Sequence, residues 1–234
     1  MERPYIKPSL IQLAAISIQS ILLARSPSTI SQIINKPIIA QSSWSHLFLS
    51  MTEKEKMLTG EIYSAVDPQL LEELTEVKEI IHDYNLLRPS EKQKGKEILK
   101  GLLGHIADDE TLIVQPFYCD YGKQISVGKR FFANFNFTVL DEARVTIGDD
   151  CFIGPNVSIY TACHSTDPLE RNSRREWAEP VTIGNNVWIG GRVTILPGVT
   201  IGDNVTIGAG SVVTKDIPSN CVAVGNPCKV VKSI

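Results

Sequence analysis

Of the chain's four histidines, His164 stands where a repeat breaks off. His46 lies in an N-terminal stretch of different composition. His82 and His105 fall in a helical segment, where a surface or cap histidine is the ordinary reading. His164 closes the run Thr161-Ala-Cys-His at the start of a polar interruption. An imidazole, with an ordinary pKa of about 6.5, can both take and return a proton at neutral pH, so His164 is the candidate general base. Cys163 beside it raises a rival, covalent catalysis through a thiol. Neighbours on an extended chain point to opposite faces, which argues against the pair sharing one task. Asn134, in Phe132-Ala-Asn-Phe-Asn, carries an amide that both donates and accepts, which suits a hydroxyl-bearing ligand; an Asn at a turn is the bland alternative.

The scaffold that must position these groups keeps a beat of six. Ile183, Ile189, Ile195, Ile201, Ile207 and Val213 are six apart. Gly184, Gly190, Gly202 and Gly208 follow four of them, and Val181, Val187, Val193, Val199 and Val205 run two positions ahead. A fixed short period marks a solenoid. One strand and one corner per hexad, with aliphatic side chains inside and Gly, Asn and Asp at the turns, suits a triangular parallel β-coil. Successive coils stack at the ordinary strand spacing of roughly 4.8 Å.

Two irregularities interrupt the beat. Gly128 to Gly148 is twenty residues, two more than three hexads, so Phe131 to Val145 is expected to bulge or shift by two, with Asn134 inside the irregularity. Ile159 to Ile183 is 24 residues, four hexads, yet residues 161–180 carry no repeat. They read as a polar excursion that leaves a coil and returns in register. Chemistry is expected at these two places.

Residues 52–106 read as helical. Asp67-Pro68 is a helix start, with Asp as N-cap and Pro in the first turn. Leu70, Leu71, Leu74, Val77, Ile81 and Tyr84 share one face at helical spacing. Arg88-Pro89 ends that helix, Ser90-Glu91 offers a second cap, and Ile98, Leu99, Leu102, Leu103 and Ile106 form the next stripe. Such helices would cover the open end of a solenoid. Three parts follow: an extension at 1–50, a helical lead at 51–110 and a β-coil domain at 111–234. The extension carries Arg3, Lys7, Arg25 and Lys36 but a single acid, Glu2, and Met51 opens a sharply different composition. It reads as an upstream extension outside the functional fold, with a targeting peptide as the alternative.

Composition narrows the function classes. The net charge is −3 and no long basic run occurs, which argues against nucleic acid or an anionic membrane surface as partner. Ser9 to Ala24 is too short and too polar to span a bilayer. Five scattered cysteines show no metal-type or redox-type pairing and read as reduced thiols of a cytoplasmic protein.

The runs Asn185-Asn-Val-Trp-Ile-Gly-Gly191, Pro197-Gly-Val-Thr-Ile-Gly-Asp-Asn204, Gly208-Ala-Gly-Ser-Val-Val-Thr-Lys-Asp216 and Gly225-Asn-Pro-Cys-Lys-Val-Val231 resemble the hexapeptide-repeat acyltransferases. The helical lead, with Glu55-Lys-Met-Leu-Thr-Gly-Glu-Ile-Tyr63 and Asp83-Tyr-Asn85, and the segment Tyr160-Thr-Ala-Cys-His164 resemble the maltose and galactoside O-acetyltransferases within them. The resemblance covers Met51 to Ile234.

That resemblance implies a mostly β fold, a left-handed parallel β-helix with an N-terminal helical segment. It implies a homotrimer with acetyl-CoA in the cleft between subunits, and a small sugar of the maltose or glucose kind as acceptor. His164 becomes the base that deprotonates the sugar hydroxyl. Asn134, Asp120, Asp141 and Glu142 become acceptor-site residues, and Trp188 stands beside the active site. Gly191 becomes the backbone donor to the thioester oxyanion, Ala209 and Thr214 contact the pantetheine arm, and Lys215, Lys229 and Lys232 lie near the CoA phosphates. Two positions depart from the galactoside pattern: Ala65 replaces an acceptor-contacting acid, with Asp67 two residues on, and Leu74 replaces an arginine.

The alternatives are acyl transfer to another alcohol (an antibiotic, serine or a glycan), a non-catalytic β-helix scaffold, and a hexapeptide-repeat carbonic anhydrase. The last needs several histidines on zinc, and the repeats hold only His164, so no metal is expected.

Overall fold

The computed structural model describes residues 51–234, and the reading of residues 1–50 lies outside the described residues. Three helices lead the chain: α1 (Glu53–Thr59), α2 (Pro68–Asn85) and α3 (Lys92–Leu102). Short strands then wind into a parallel β-solenoid whose walls are sheets of five, seven and five strands. We call these walls faces I, II and III, in the order the chain meets them. Face I contains Ile125–Val127, Val145–Ile147 and Val181–Ile183; face II contains Phe132–Ala133, Phe152–Ile153 and Trp188–Ile189; face III contains Phe117–Cys119, Phe137–Leu140 and Ser158–Tyr160.

The beat of six is the reason for these walls. β-branched residues fit short pleated strands, and one residue of each hexad turns inward to stack on its counterpart a coil away. Ile153 pairs in register with Ile189 and that with Ile207; Ile159 pairs with Ile195 and that with Val213. All are buried in one continuous core. Coils pack closely enough that glycine is needed at the corners. A β-carbon on Gly184 would lie 2.8 Å from the carbonyl carbon of Gly202. Asparagines at positive φ turn other corners, and their amides form ladders, Asn186 to Asn204 at 3.1 Å and Asn204 to Asn220 at 2.8 Å.

The helices cover the first coil as expected. Asp67 caps α2, accepting from the N–H groups of Gln69 (3.0 Å) and Leu70 (3.3 Å). Val77, Ile81, Tyr84, Leu99 and Leu102 join the same core as Ile113 and Phe117. The side chain of Asn85 then pairs with both backbone groups of Phe117, each at 2.9 Å, and so closes an open strand edge. Three details differ from the sequence reading. Leu71 is exposed. The residue before α3 is Glu91, which makes no side-chain cap. Ile106 belongs to a first two-residue strand, His105–Ile106, rather than to the helical stripe.

The first irregularity lies within Phe131 to Val145 as expected, but not at Asn134. Ile195 to Ile201 takes six residues to pass from face III to face I, whereas Val139 to Ile147 takes eight, as does Cys119 to Val127. The two extra residues therefore sit at the edge between faces III and I, at Asp141-Glu142 and in the coil below near Asp120-Tyr121. Asn134 is outside them. It occupies a regular corner between faces II and III, where its N–H bonds Ile153 O as Gly154 bonds Ile189 O and Gly190 bonds Ile207 O. Sequence spacing gave the size of the shift but not which of three corners absorbed it.

The excursion leaves from that same III/I edge and does return in register, Val181 pairing with Val145. The two eight-residue corners and the excursion are thus stacked on one edge of the prism.

Candidate active site

The excursion is a β-hairpin. Ala162–His164 pairs antiparallel with Arg175–Ala178, and a short helix α4 (Pro168–Asn172) sits at its tip, capped by Asp167 on the N–H of Leu169 at 2.8 Å. Tyr63–Ser64 of the helical lead adds a third strand beside Arg175–Ala178. The helical lead therefore grips the hairpin as well as covering the solenoid end.

Pairing across the hairpin sets His164 opposite Glu176, with Nδ1 3.3 Å from Oε2. The imidazole is 57% exposed, while the Glu176 side chain is 11% exposed. The phenol of Tyr63 donates to the other oxygen of Glu176. Burial first, and then the bond to Glu176, raise the Tyr63 phenol far above its ordinary range, so it stays a donor. Tyr63, Glu176 and His164 form a chain from a buried phenol to an exposed base. Glu176 was not singled out from the sequence. The available signal was the excursion itself: residues 161–180 folded back on their midpoint bring a residue near 176 opposite His164.

Cys163 is turned away from this chain, with its Sγ 3.8 Å from Thr161 O. Burial raises its thiol to about 11, so it carries little thiolate at neutral pH.

The predicted acids divide. Asp141 is fully buried, and its carboxylate is occupied by backbone: Oδ1 accepts from Asp120 (3.1 Å) and Tyr121 (2.8 Å), and Oδ2 from Gln124 (3.4 Å). It folds the eight-residue corner, which is a correction to its reading as an acceptor contact. Glu142 and Asp120 face each other. Burial, and then the Asp120 charge, raise the Glu142 carboxyl well above the carboxylate range, so it holds a proton that Asp120 can accept. Glu142 Oε2 also lies 3.2 Å from the hydroxyl oxygen of Thr161, whose own proton goes to Leu140 O at 2.8 Å, and these contacts root the hairpin. His164, Glu142 and Asp120 therefore share the III/I edge.

Asn134 lies on the II/III edge, apart from His164 within one chain. There it lines an open cleft of ≈ 780 Å³ with Trp188, Gly191 and Ala209. The floor is an apolar ladder, with Phe132 paired to Phe152 and Phe152 to Trp188; Trp188 is 59% exposed. Among the described residues the N–H of Gly191 has no backbone acceptor. A β-carbon at Gly191 would stand 3.1 Å from Pro155 O. Thr214 and Lys215 follow strand Val212–Val213 on the III/I edge, whereas Lys229 and Lys232 lie on the last strand, Lys229–Ser233, against face II. The predicted donor residues are thus split over two edges. Among the described residues no group of three or more His, Cys, Asp or Glu could hold a metal ion.

The two departures in the lead are also occupied. Asp67 is spent as a helix cap, and Ala65 and Leu74 pack against Met57, Tyr63, Leu70 and Tyr121.

Comparison with known proteins agrees with this architecture. The family descriptions "Bacterial transferase hexapeptide (six repeats)", "Maltose acetyltransferase hexapeptide capping motif" and "Hexapeptide repeat of succinyl-transferase" match residues 180–215, 56–107 and 144–162. The galactoside O-acetyltransferase of Escherichia coli (strain K12) is 40% identical over 186 residues, 80% of this chain and 91% of that protein. The chain belongs to the hexapeptide-repeat acetyltransferases. The structure of a maltose O-acetyltransferase from Clostridium difficile 630 shares 51% identity over 79% of this chain and 98% of its own, with a TM-score of 0.77. That of a galactoside acetyltransferase in complex with coenzyme A shares 40% over 79% and 92%, with a TM-score of 0.76. Within this family the helical lead is the capping motif, and the III/I edge with its hairpin is the candidate active-site edge of an acetyltransferase.

Proposed function

We propose that this acetyltransferase moves an acetyl group from acetyl-CoA to a hydroxyl of a small sugar of the maltose or glucose kind, with His164 as general base. The observation that carries the reading is the exposed His164 imidazole backed by Glu176 on the edge that also bears Asp120 and Glu142. With Glu176 Oε2 3.3 Å from Nδ1, the neutral imidazole carries its proton on Nδ1 and leaves Nε2 free to take another. As the sugar oxygen attacks the thioester carbonyl, its proton passes to Nε2. The carbonyl oxygen gathers charge that the Gly191 N–H stabilises. Collapse breaks the C–S bond, and the departing CoA thiolate takes the proton back from His164. The proton transfers contribute about 10²–10⁴ in rate.

The donor lies along the cleft of Trp188, Gly191 and Ala209, with Thr214 on the pantetheine arm and Lys215, Lys229 and Lys232 on the phosphates. A homotrimer reconciles the two edges, since the II/III edge of one copy can face the III/I edge of the next and bring Asn134 to His164. The coenzyme A bound by the galactoside acetyltransferase supports the donor. The maltose and galactoside relatives support a sugar, and the departures at Ala65 and Leu74 weaken the case for a galactoside. Five free cysteines among the described residues fit a cytoplasmic enzyme. No helix among those residues is long and apolar enough to cross a membrane.

The test is acetyl-CoA consumption over glucose, maltose, galactosides, amino sugars and serine, with the assembly sized in solution. Turnover with glucose or maltose by a trimer is expected. Turnover with serine alone, or full activity from a monomer, overturns the reading.

A further inference from the structure

A second groove opens on the same edge from the other side. It has a volume of ≈ 440 Å³, runs between helix α2 and face III, and is lined by Lys78, His82, Leu86, Tyr118, Asp120 and Leu140. Two of these tie it to the active-site edge. Asp120 faces Glu142, and Leu140 O accepts both the N–H of Thr161 (3.0 Å) and its hydroxyl (2.8 Å), three residues before His164. The floor is fixed, with Ile81 and Cys119 buried and Asn85 locked onto Phe117. The walls are open, with Tyr118 47% and Leu86 69% exposed.

We propose that this groove is a second saccharide subsite, holding the sugar unit next to the one that is acetylated. The inference rests on the sugar reading above. A pyranose offers an apolar C–H face and a rim of hydroxyls. Tyr118 and Leu86 supply an apolar platform, and the phenol adds a polar tip. Lys78 and His82, one turn apart on α2, supply donors, and neither makes a side-chain hydrogen bond to a described residue. Asp120 supplies an acceptor from the opposite wall, where it would repel a phosphate. The volume falls in the range of small-ligand sites, roughly 300–1,000 Å³. A disaccharide could place one ring against Tyr118 while the other reaches His164 past Asp120.

The experiment measures kcat/KM for glucose, maltose and maltotriose at saturating acetyl-CoA, for the full chain and its Tyr118→Ala and Tyr118→Phe variants. The exposed side chain at 118 makes both variants tolerable to the fold. Wild-type kcat/KM is expected to rise from glucose to the longer sugars. Tyr118→Ala should lower it about two- to tenfold for maltose and maltotriose, mainly through KM, and by less than that for glucose. Tyr118→Phe should keep the wild-type pattern. An equal loss on all three sugars, or no loss on any, overturns the subsite while leaving the sugar reading intact. A wild-type enzyme that acetylates none of them overturns both.

Discussion

Glu176 holds Oε2 3.3 Å from Nδ1 of His164, across a hairpin that the helical lead clamps through Tyr63. The hairpin is the longest interruption of the six-residue beat, and it puts this carboxylate behind this imidazole. A carboxylate in that place fixes the tautomer and balances the charge that the base acquires as it takes a proton. In the proposed mechanism Glu176 acts through His164 and is a positioning residue.

Glu176→Gln should therefore lower kcat about ten- to a hundredfold, the loss of one charge-assisted hydrogen bond in the transition state. KM for both substrates should stay within about twofold, because Glu176 touches neither of them. Tyr63→Phe should give a smaller fall of the same kind. Steady-state kinetics checks this; a rise in KM with kcat unchanged would mean that Glu176 serves binding instead.

Cys163 sits next to the base but faces the other way, with its thiol raised to about 11 by burial. Cys163→Ala should keep kcat within about threefold of wild type, well short of the 10²–10⁴ expected for loss of the base. A dead Cys163→Ala enzyme that still folds, together with a trapped acyl-thiol, would reinstate the covalent route.

Gly191→Ala tests the close approach at the donor cleft. The new β-carbon would meet Pro155 O at 3.1 Å, so the corner must give by a few tenths of an ångström. A backbone donor moved that far should lower kcat about tenfold, part of the 10²–10³ that a whole oxyanion donor supplies. Wild-type turnover by this variant would remove Gly191 from the chemistry.

Asp141 predicts a pH dependence of stability. Burial, against opposing bonds from the backbone of Tyr121, Gly122 and Asp120, raises its carboxyl from 3.8 to about 7. The folded state therefore holds this proton more tightly than the unfolded chain. The resulting stability is complete below about pH 4 and is lost as pH rises through about 7. Urea unfolding near pH 5 and near pH 8 should show a less stable protein at the higher pH. Asp141→Asn keeps a carbonyl oxygen but cannot titrate, so it should shrink that difference. An undiminished difference in the variant would show that another group, Glu142 first, carries the effect.

Much of this was legible in the chain. The spacing of Ile183 to Val213 dictates the solenoid, because only a stacked coil buries one aliphatic residue in every hexad. Asp67-Pro68 dictates the start of α2 by local chemistry alone. The excursion was visible as an absence of repeat, and His164 was visible as a histidine at its start. The corner that absorbs the two-residue shift was not legible, because a net excess of two fits any of three corners. Asn134 falls outside the bulge, and the carboxylate of Asp141 is what closes it. Glu176 and Tyr63 were hidden by distance: they are 113 residues apart, and only the three-stranded sheet of the hairpin joins them.

The most direct measurement is the rate of acetyl transfer to maltose or glucose by His164→Ala, alongside wild type, with fold and assembly verified in both. A general base at His164 predicts a fall in kcat of about 10²–10⁴ with the fold intact. A His164→Ala rate within threefold of wild type contradicts it.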